Sequence, residues 1–285
     1  MKLGTVAKSA AFVIASQLLL ACGTGTSSST TSTVPSPDAL TGNWNLLGDR
    51  ALQQYPLLSL SLIVNGDQIT AQGDSNVMCP NGDGGGGTVG LSGQIAADGT
   101  FALNESAGNQ SSFLWAITGT APPTGSSTWT GSYTLTTSPT YMGCTINQTA
   151  AFTATALPPF NGTYAGTLVE GLTASPTATA TVTLDVSQGA AVVSLPPGLS
   201  YLPLSGSIMI AGSPCFTHGT SITTPGGDII KGDYLAMAFT MDDGSQAVLS
   251  AFCASPDETT LTGVLFSSIT GQCAQTVYGG TLTRQ

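Results

Sequence analysis

After residue 40 the chain consists of short runs in which apolar and polar residues alternate, separated by turn residues. Thr, Ser, Asn and Gln fill most of the polar positions, and 36 Gly and 16 Pro punctuate the runs. Alternation with a period of two places successive side chains on opposite faces of a strand, whereas Gly and Pro disfavour helix interiors. The sequence therefore predicts an all-β protein, with helix confined to a short turn such as residues 50–54, which Pro56 would stop.

The chain contains an internal repeat, in which landmarks of the same kind follow in the same order. The landmarks are a Gly two residues before an aromatic residue, an Asp-Gly hairpin signal, and a Thr-Gly pair inside a strand. The matching pairs are Gly42-Asn-Trp44 with Gly162-Thr-Tyr164, Asp98-Gly99 with Asp243-Gly244, and Trp129-Thr-Gly with Leu261-Thr-Gly. Both halves are therefore predicted to fold in the same way, and Pro158-Pro159 marks the boundary between them.

Each copy has room for eight strands. In the first copy we predict strands near residues 42–47, 58–65, 67–73, 88–96, 100–106, 112–120, 128–136 and 148–156. In the second copy we predict them near residues 162–169, 177–187, 190–195, 203–211, 233–241, 245–253, 259–268 and 275–283. Eight strands joined by short turns suit a closed barrel, because closure removes exposed sheet edges. We predict two tandem eight-stranded antiparallel meander barrels, with two immunoglobulin-like β-sandwiches as the alternative, since about 120 residues per copy fits both folds.

The opening Gly42-Asn43-Trp44 is similar to the Gly-x-Trp start of the lipocalins. The match spans three residues, and the sequence contains no second lipocalin motif. This resemblance implies a β-barrel, and by analogy alone it implies a small apolar ligand inside the barrel.

The start of the chain has the pattern of an export signal. Lys2 and Lys8 precede a mostly apolar segment at residues 10–21, which is too short to cross a membrane as a helix. The segment ends in Leu19-Leu20-Ala21-Cys22-Gly23, which resembles the lipobox of bacterial lipoproteins. The resemblance implies a diacylglyceryl group on the thiol of Cys22 and cleavage just before it. An ordinary secretory signal cut elsewhere is the alternative.

These patterns together predict the domain organisation and the location. Residues 1–21 are a signal peptide, residues 22–39 a lipidated cysteine with a disordered Ser/Thr/Pro tether, and residues 40–157 and 158–285 the two β domains. Because Gly23 is not the Asp associated with inner-membrane retention, the lipobox resemblance implies the outer membrane.

The charge of the mature chain restricts its partners. Removal of the signal peptide leaves three basic and fifteen acidic residues, a formal net charge of −12. Nucleic acids and anionic lipid surfaces are bound through Lys and Arg, so we expect neither as a partner of the β domains. The membrane is expected to be reached through the lipid on Cys22, and a protein, polysaccharide or small-molecule partner is left open.

Five cysteines remain after lipidation of Cys22, in an oxidising compartment where suitably placed thiols form disulfides. The repeat predicts the pairs Cys79 with Cys144 and Cys215 with Cys273. Cys253 has no counterpart in the first copy and is predicted to remain a reduced, buried thiol. The alternative pairing joins Cys215 to Cys253.

The sequence offers few candidates for catalysis. His218 is the one histidine, so most nucleophile schemes would need it, and no Gly-x-Ser-x-Gly elbow accompanies it. The paired carboxylates Asp242-Asp243 and Asp257-Glu258 lie in turn-like sequence, where acidic residues cap the backbone. We therefore expect a protein that is not an enzyme.

No cofactor is expected. Asp67, Asp74 and Asp83 are weak calcium candidates in a Gly-rich stretch, but no EF-hand spacing is present. Gly85-x-Gly87-x-x-Gly90 has the letters of a dinucleotide motif, but a strand is predicted after it instead of the required helix.

The sequence therefore predicts a lipid-anchored envelope protein without catalytic activity, whose β domains bind a partner or polymer or occupy the cell surface. A carrier of a small apolar ligand and a hydrolase of envelope or environmental polymers are the alternatives.

Overall fold

The structure is a computed structural model that describes most of the chain after residue 33. The described residues are 34–48, 53–78, 84–105, 113–137, 145–171, 178–189, 193–195, 199–213, 216–222, 229–253, 259–271 and 276–285. Apart from one 3-10 turn at Pro37–Leu40, their regular elements are β-strands, so the prediction of an all-β protein is confirmed.

The first half folds into a closed barrel of eight antiparallel strands. In chain order these are β1 (Gly42–Leu47), β2 (Gln53–Asn65), β3 (Gln68–Met78), β4 (Gly84–Ile95), β5 (Thr100–Glu105), β6 (Phe113–Thr120), β7 (Thr128–Thr137) and β8 (Asn147–Leu157). Each strand pairs with the next, and β1 pairs with β8, where Asn43 lies opposite Leu157.

Alternation along the strands fills this barrel with side chains. In β5 the side chains of Phe101 and Leu103 are buried while their neighbours are exposed. Trp129 lies at the centre of an aromatic cluster, with ring centroids 6.0 Å from Trp44, 5.4 Å from Phe101 and 5.0 Å from Phe152. Burying a large apolar side chain stabilises the fold by about 1.5–3 kcal/mol, so this interior is the first barrel's main source of stability.

The second half contains eleven strands among the described residues. They are β9 (Asn161–Glu170), β10 (Thr179–Gln188), β11 (Val193–Leu195), β12 (Leu199–Tyr201), β13 (Leu204–Ala211), β14 (His218–Ser221), β15 (Ile229–Lys231), β16 (Tyr234–Met241), β17 (Gln246–Cys253), β18 (Thr260–Ser268) and β19 (Val277–Arg284). The ring runs β9, β10, β13, β14, β16, β17, β18, β19 and closes from β19 to β9. It is a second eight-stranded antiparallel barrel, so the predicted barrels are confirmed over the sandwich alternative.

The other three strands lie outside this ring. β11 pairs with β12, and β15 pairs with the first three residues of β16. The second interior is a separate core, in which Phe160 stacks on Tyr164 with ring centroids 5.2 Å apart. Because each ring is closed, its first and last strands are neighbours. Because each ring also has an even number of strands, the chain enters and leaves at the same end of the barrel.

The repeat is visible in the wall strands, which are the eight strands that form each closed ring. Trp44 and Tyr164 are buried on the first strand of their barrels, and Trp129 and Leu261 are each the second residue of the seventh strand. The hairpin landmark is offset, because Asp98-Gly99 joins the fourth and fifth wall strands while Asp243-Gly244 joins the fifth and sixth.

One strand prediction and one helix prediction were wrong. The run at 190–195 was predicted as a wall strand, but its described part forms β11, and the four-residue β14 takes the place in the wall because it pairs with both β13 and β16. The helical turn predicted at 50–54 is contradicted at Gln53 and Gln54, which begin β2. There Pro56 lies where the register shifts, so its missing N–H is tolerated.

Candidate functional site

Polar side chains on the outside of the first barrel are buried where the second barrel covers them. Asn43, Ser59 and Ser61 are 2%, 0% and 1% exposed. Alternation directs them outward, because their neighbours Trp44 and Leu60 belong to the interior core. The turn at residues 232–233, between β15 and β16, lies against them and forms what we call the junction.

The junction is held by a directed chain of hydrogen bonds. The Gly232 N–H donates to Ser61 Oγ at 2.9 Å, and Ser61 Oγ donates to Asn43 Oδ1 at 2.6 Å. Asn43 Nδ2 in turn donates to Gln188 Oε1 at 3.1 Å, at the end of β10. The register makes this possible, because Asn43 lies directly opposite Ser61 in the β1–β2 pair.

A second, parallel set of bonds lies two residues away. The Asp233 N–H donates to Ser59 Oγ at 2.8 Å, and Ser59 Oγ donates to Asn45 Oδ1 at 2.6 Å. Burial raises the pKa of the Asp233 carboxyl above its ordinary value. The nearby Ser59 hydroxyl opposes this rise, and the carboxylate of Asp74 adds to the rise. The junction therefore contains one carboxyl group whose ionised form is disfavoured.

Beside the junction lies a groove of about 500 Å³, where β1, the end of β8 and the end of β10 meet. Its polar lining comes from Thr41, Asn43, Ser126, Asn161 and Gln188, and none of its described lining residues is charged. Its apolar lining includes the exposed Pro159 and the buried Leu157 and Leu202. The described lining of the groove is therefore uncharged in a protein that is strongly acidic overall.

Backbone donors fix the orientation of two amide side chains in this groove. The Phe160 N–H donates to Gln188 Oε1 at 3.0 Å, and the Gln188 N–H donates to Asn161 Oδ1 at 2.9 Å. A backbone N–H can only donate, so the oxygen of each amide is assigned and its NH₂ group faces elsewhere.

The predicted catalytic candidates lie on an exposed turn. His218 Nδ1 is 3.2 Å from Asp242 Oδ1, and the Thr217 hydroxyl donates to Asp242 Oδ2 at 2.8 Å. The side chains of His218 and Asp242 are 43% and 55% exposed. Within the described part of the chain, no hydroxyl or thiol hydrogen-bonds to the His218 ring.

Of the two predicted carboxylate pairs, Asp242-Asp243 lies on the same exposed turn. The nearby side chain of Ser245, together with its N–H, which donates to Oδ1 at 2.8 Å, holds the pKa of Asp243 below its ordinary value. A general acid needs the opposite shift. Asp257 and Glu258 lie outside the described residues.

Two of the three calcium candidates lie among the described residues, and they are far apart. Asp67 lies in the turn between β2 and β3, and Asp74 follows seven residues later on β3, about 23 Å away at 3.3 Å per residue. These two carboxylates are too far apart to bind the same ion. Asp83 lies outside the described residues, among which no group of three or more His, Cys, Asp or Glu side chains could hold a metal ion.

Glycines 85, 87 and 90 lie within strand β4, with no helix after them, so a dinucleotide site is excluded there. The three tryptophans, Trp44, Trp115 and Trp129, are at most 5% exposed and belong to the first barrel's core. They fill the barrel and offer no exposed aromatic platform for a ligand.

Most of the cysteine predictions fall outside the described residues, namely those for Cys22, Cys79, Cys144, Cys215 and Cys273. Cys253 is buried at the end of β17, where its N–H donates to the Asp233 carbonyl at 2.8 Å. Across the described segments, no helix has the length and apolar character needed to span a membrane.

The sequence matches no protein-family model and no curated protein. The residues of the junction were not found by sequence reasoning. The sequence does place Asn and Ser residues at outward positions of two adjacent strands. This pattern could not have identified the junction, because it is equally typical of a strand face that is exposed to water.

Proposed function

We propose that this protein is a lipid-anchored protein of the bacterial cell envelope, attached through Cys22, whose two barrels form a binding body without catalytic activity. The observation that carries the binding role is the uncharged groove beside the junction, where amide groups are held in one orientation. The anchor rests on the Leu19-Leu20-Ala21-Cys22 pattern.

The filled interiors favour this role over that of a small-molecule carrier. A carrier needs an enclosed apolar cavity of a few hundred Å³. The described side chains of each barrel instead form a continuous core of buried aromatic and aliphatic residues. A hydrolase has less support, because the exposed His218–Asp242 pair has no hydroxyl or thiol bonded to its imidazole among the described residues.

The anchor is tested by replacing its thiol. Cys22→Ser is expected to move the protein from the membrane fraction to the soluble fraction, because acyl chains supply about 0.8 kcal/mol of membrane affinity for each buried CH₂. Ser27→Ala, in the same tether, is the control and should leave the protein in the membrane. Metabolic labelling with radioactive palmitate should mark the wild-type chain and the control. A Cys22→Ser protein that still sediments with membranes would refute the anchor.

A further inference from the structure

We infer that the groove beside the junction is a binding site for a neutral saccharide of about two sugar units. The inference rests on the binding role proposed above and adds the class of ligand to it. It is independent of the lipid anchor.

The dimensions of the groove fit such a ligand. Its volume of about 500 Å³ lies within the range of small-molecule sites, which is about 300–1,000 Å³. The chain segments that form it come from both barrels, and the hydrogen-bond chain from Gly232 to Gln188 fixes them together. A site assembled in advance spends little binding free energy on ordering itself.

The free hydrogen-bonding groups of the groove are mainly donors. Gln188 and Asn161 use their amide oxygens within the protein, which leaves Nε2 of Gln188 and Nδ2 of Asn161 without partners among the described residues. Thr41 Oγ1 accepts from the Val64 N–H at 3.1 Å, so the Thr41 hydroxyl hydrogen is a third donor. A ligand rich in oxygen acceptors satisfies these three groups.

The remaining properties select a sugar among oxygen-rich ligands. None of the described residues that line the groove is charged, so an anionic ligand would find no counter-charge among them and would be repelled by the acidic protein. Hydroxyl and ring oxygens of a neutral sugar can accept from the amides, while its C–H faces can lie on the accessible apolar surface of Pro159 and Ala156. A neutral peptide presents fewer acceptors for the same volume.

Two substitutions remove a donor and keep the junction. In Gln188→Glu one carboxylate oxygen can still accept from Asn43 and Phe160, while the other replaces the NH₂ group. In Asn161→Asp one carboxylate oxygen can likewise still accept from the Gln188 N–H, while the other oxygen replaces the NH₂ group. Gln94→Glu makes the same change of charge on the exposed outer face of β4 and serves as the control.

The experiment is calorimetric titration of the full purified chain with maltose, cellobiose and diacetylchitobiose, and with N-acetyl-trialanine amide as a neutral peptide. At least one disaccharide should bind to the wild type and to Gln94→Glu with equal affinity, and Gln188→Glu and Asn161→Asp should each weaken binding about tenfold. Circular dichroism verifies that each variant is folded, and two variants ensure that one folding failure does not end the test.

Three results would overturn the inference. They are the absence of binding by every disaccharide at 20 mM, equal affinity in the wild type and both groove variants, and binding of the peptide alone. Because soluble sugars are used, none of these results bears on Cys22, and retention of Cys22→Ser in membranes would leave this inference standing.

Discussion

Gly232→Ala should weaken the first barrel although Gly232 belongs to the second. Gly232 has φ +65°, and a Cβ added there would overlap Ser59 and lie 2.5 Å from the Leu60 nitrogen. Because the overlap is with backbone, the turn must leave the junction and lose the two bonds donated by Gly232 and Asp233. At about 1 kcal/mol for each bond, the coupling between the barrels should fall by about 2 kcal/mol.

Tryptophan fluorescence isolates this effect, because all three tryptophans lie in the first barrel. With an m-value of about 2 kcal/mol/M, the urea midpoint reported by fluorescence should fall by about 1 M. Gly244→Ala is the matched control in the second barrel, since Gly244 has φ +78° and no atom lies within 4 Å of its added Cβ. The control carries only the local strain of about 1–2 kcal/mol and should leave the fluorescence midpoint unchanged. Equal midpoints for the two variants would show that the junction does not couple the barrels.

Three further predictions follow from the cysteines, the two cores and the junction carboxyl. The predicted disulfides join Cys79 to Cys144 and Cys215 to Cys273, and each should stabilise its barrel by about 4 kcal/mol. Cys253 ends the sixth wall strand, at the opposite end of the barrel from the connections that follow the third and seventh wall strands. Non-reducing peptide mapping should therefore find the two predicted pairs, and a crosslink to Cys253 would refute the pairing. Residues 40–157 and 158–285, expressed separately, should each melt cooperatively, because each has its own closed ring and core, and halves that fold only when joined would contradict this. Because the pKa of Asp233 is raised in the folded state, the folded protein holds the proton of this carboxyl more tightly than the unfolded chain does. The free energy of unfolding should therefore fall as the pH rises from the ordinary pKa of an aspartate through the raised pKa of Asp233. Asp233→Asn should remove that fall in urea titrations across pH, and an identical pH profile would refute it.

Local patterns located most of the strands, because alternation is a property of neighbouring residues. The run predicted at 112–120 is β6 (Phe113–Thr120), and the run at 128–136 is β7 (Thr128–Thr137). Strand β14 has only four residues, too few for alternation to be recognised, and its place in the wall depends on pairs such as Gly219 with Met241. Pairing between distant segments is decided by tertiary structure, so no local pattern indicates it.

The same limit applies to the candidate site. Ser59 and Ser61 occupy the outward positions of a strand, where polar residues are expected in water. Their burial depends on a turn about 170 residues later in the chain, which donates backbone hydrogen bonds to both hydroxyls. Backbone groups carry no sequence signature, so the sequence could predict the two barrels but not the surface on which they meet.

The even number of strands in each ring has a consequence for how such a protein can evolve. A unit whose entry and exit lie on adjacent strands at one end can be copied in tandem without rerouting the chain. Here the three residues Pro158, Pro159 and Phe160 are enough to pass from β8 to β9. Gene duplication can therefore lengthen the protein by whole barrels, and each new copy would arrive with its first and last strands already paired.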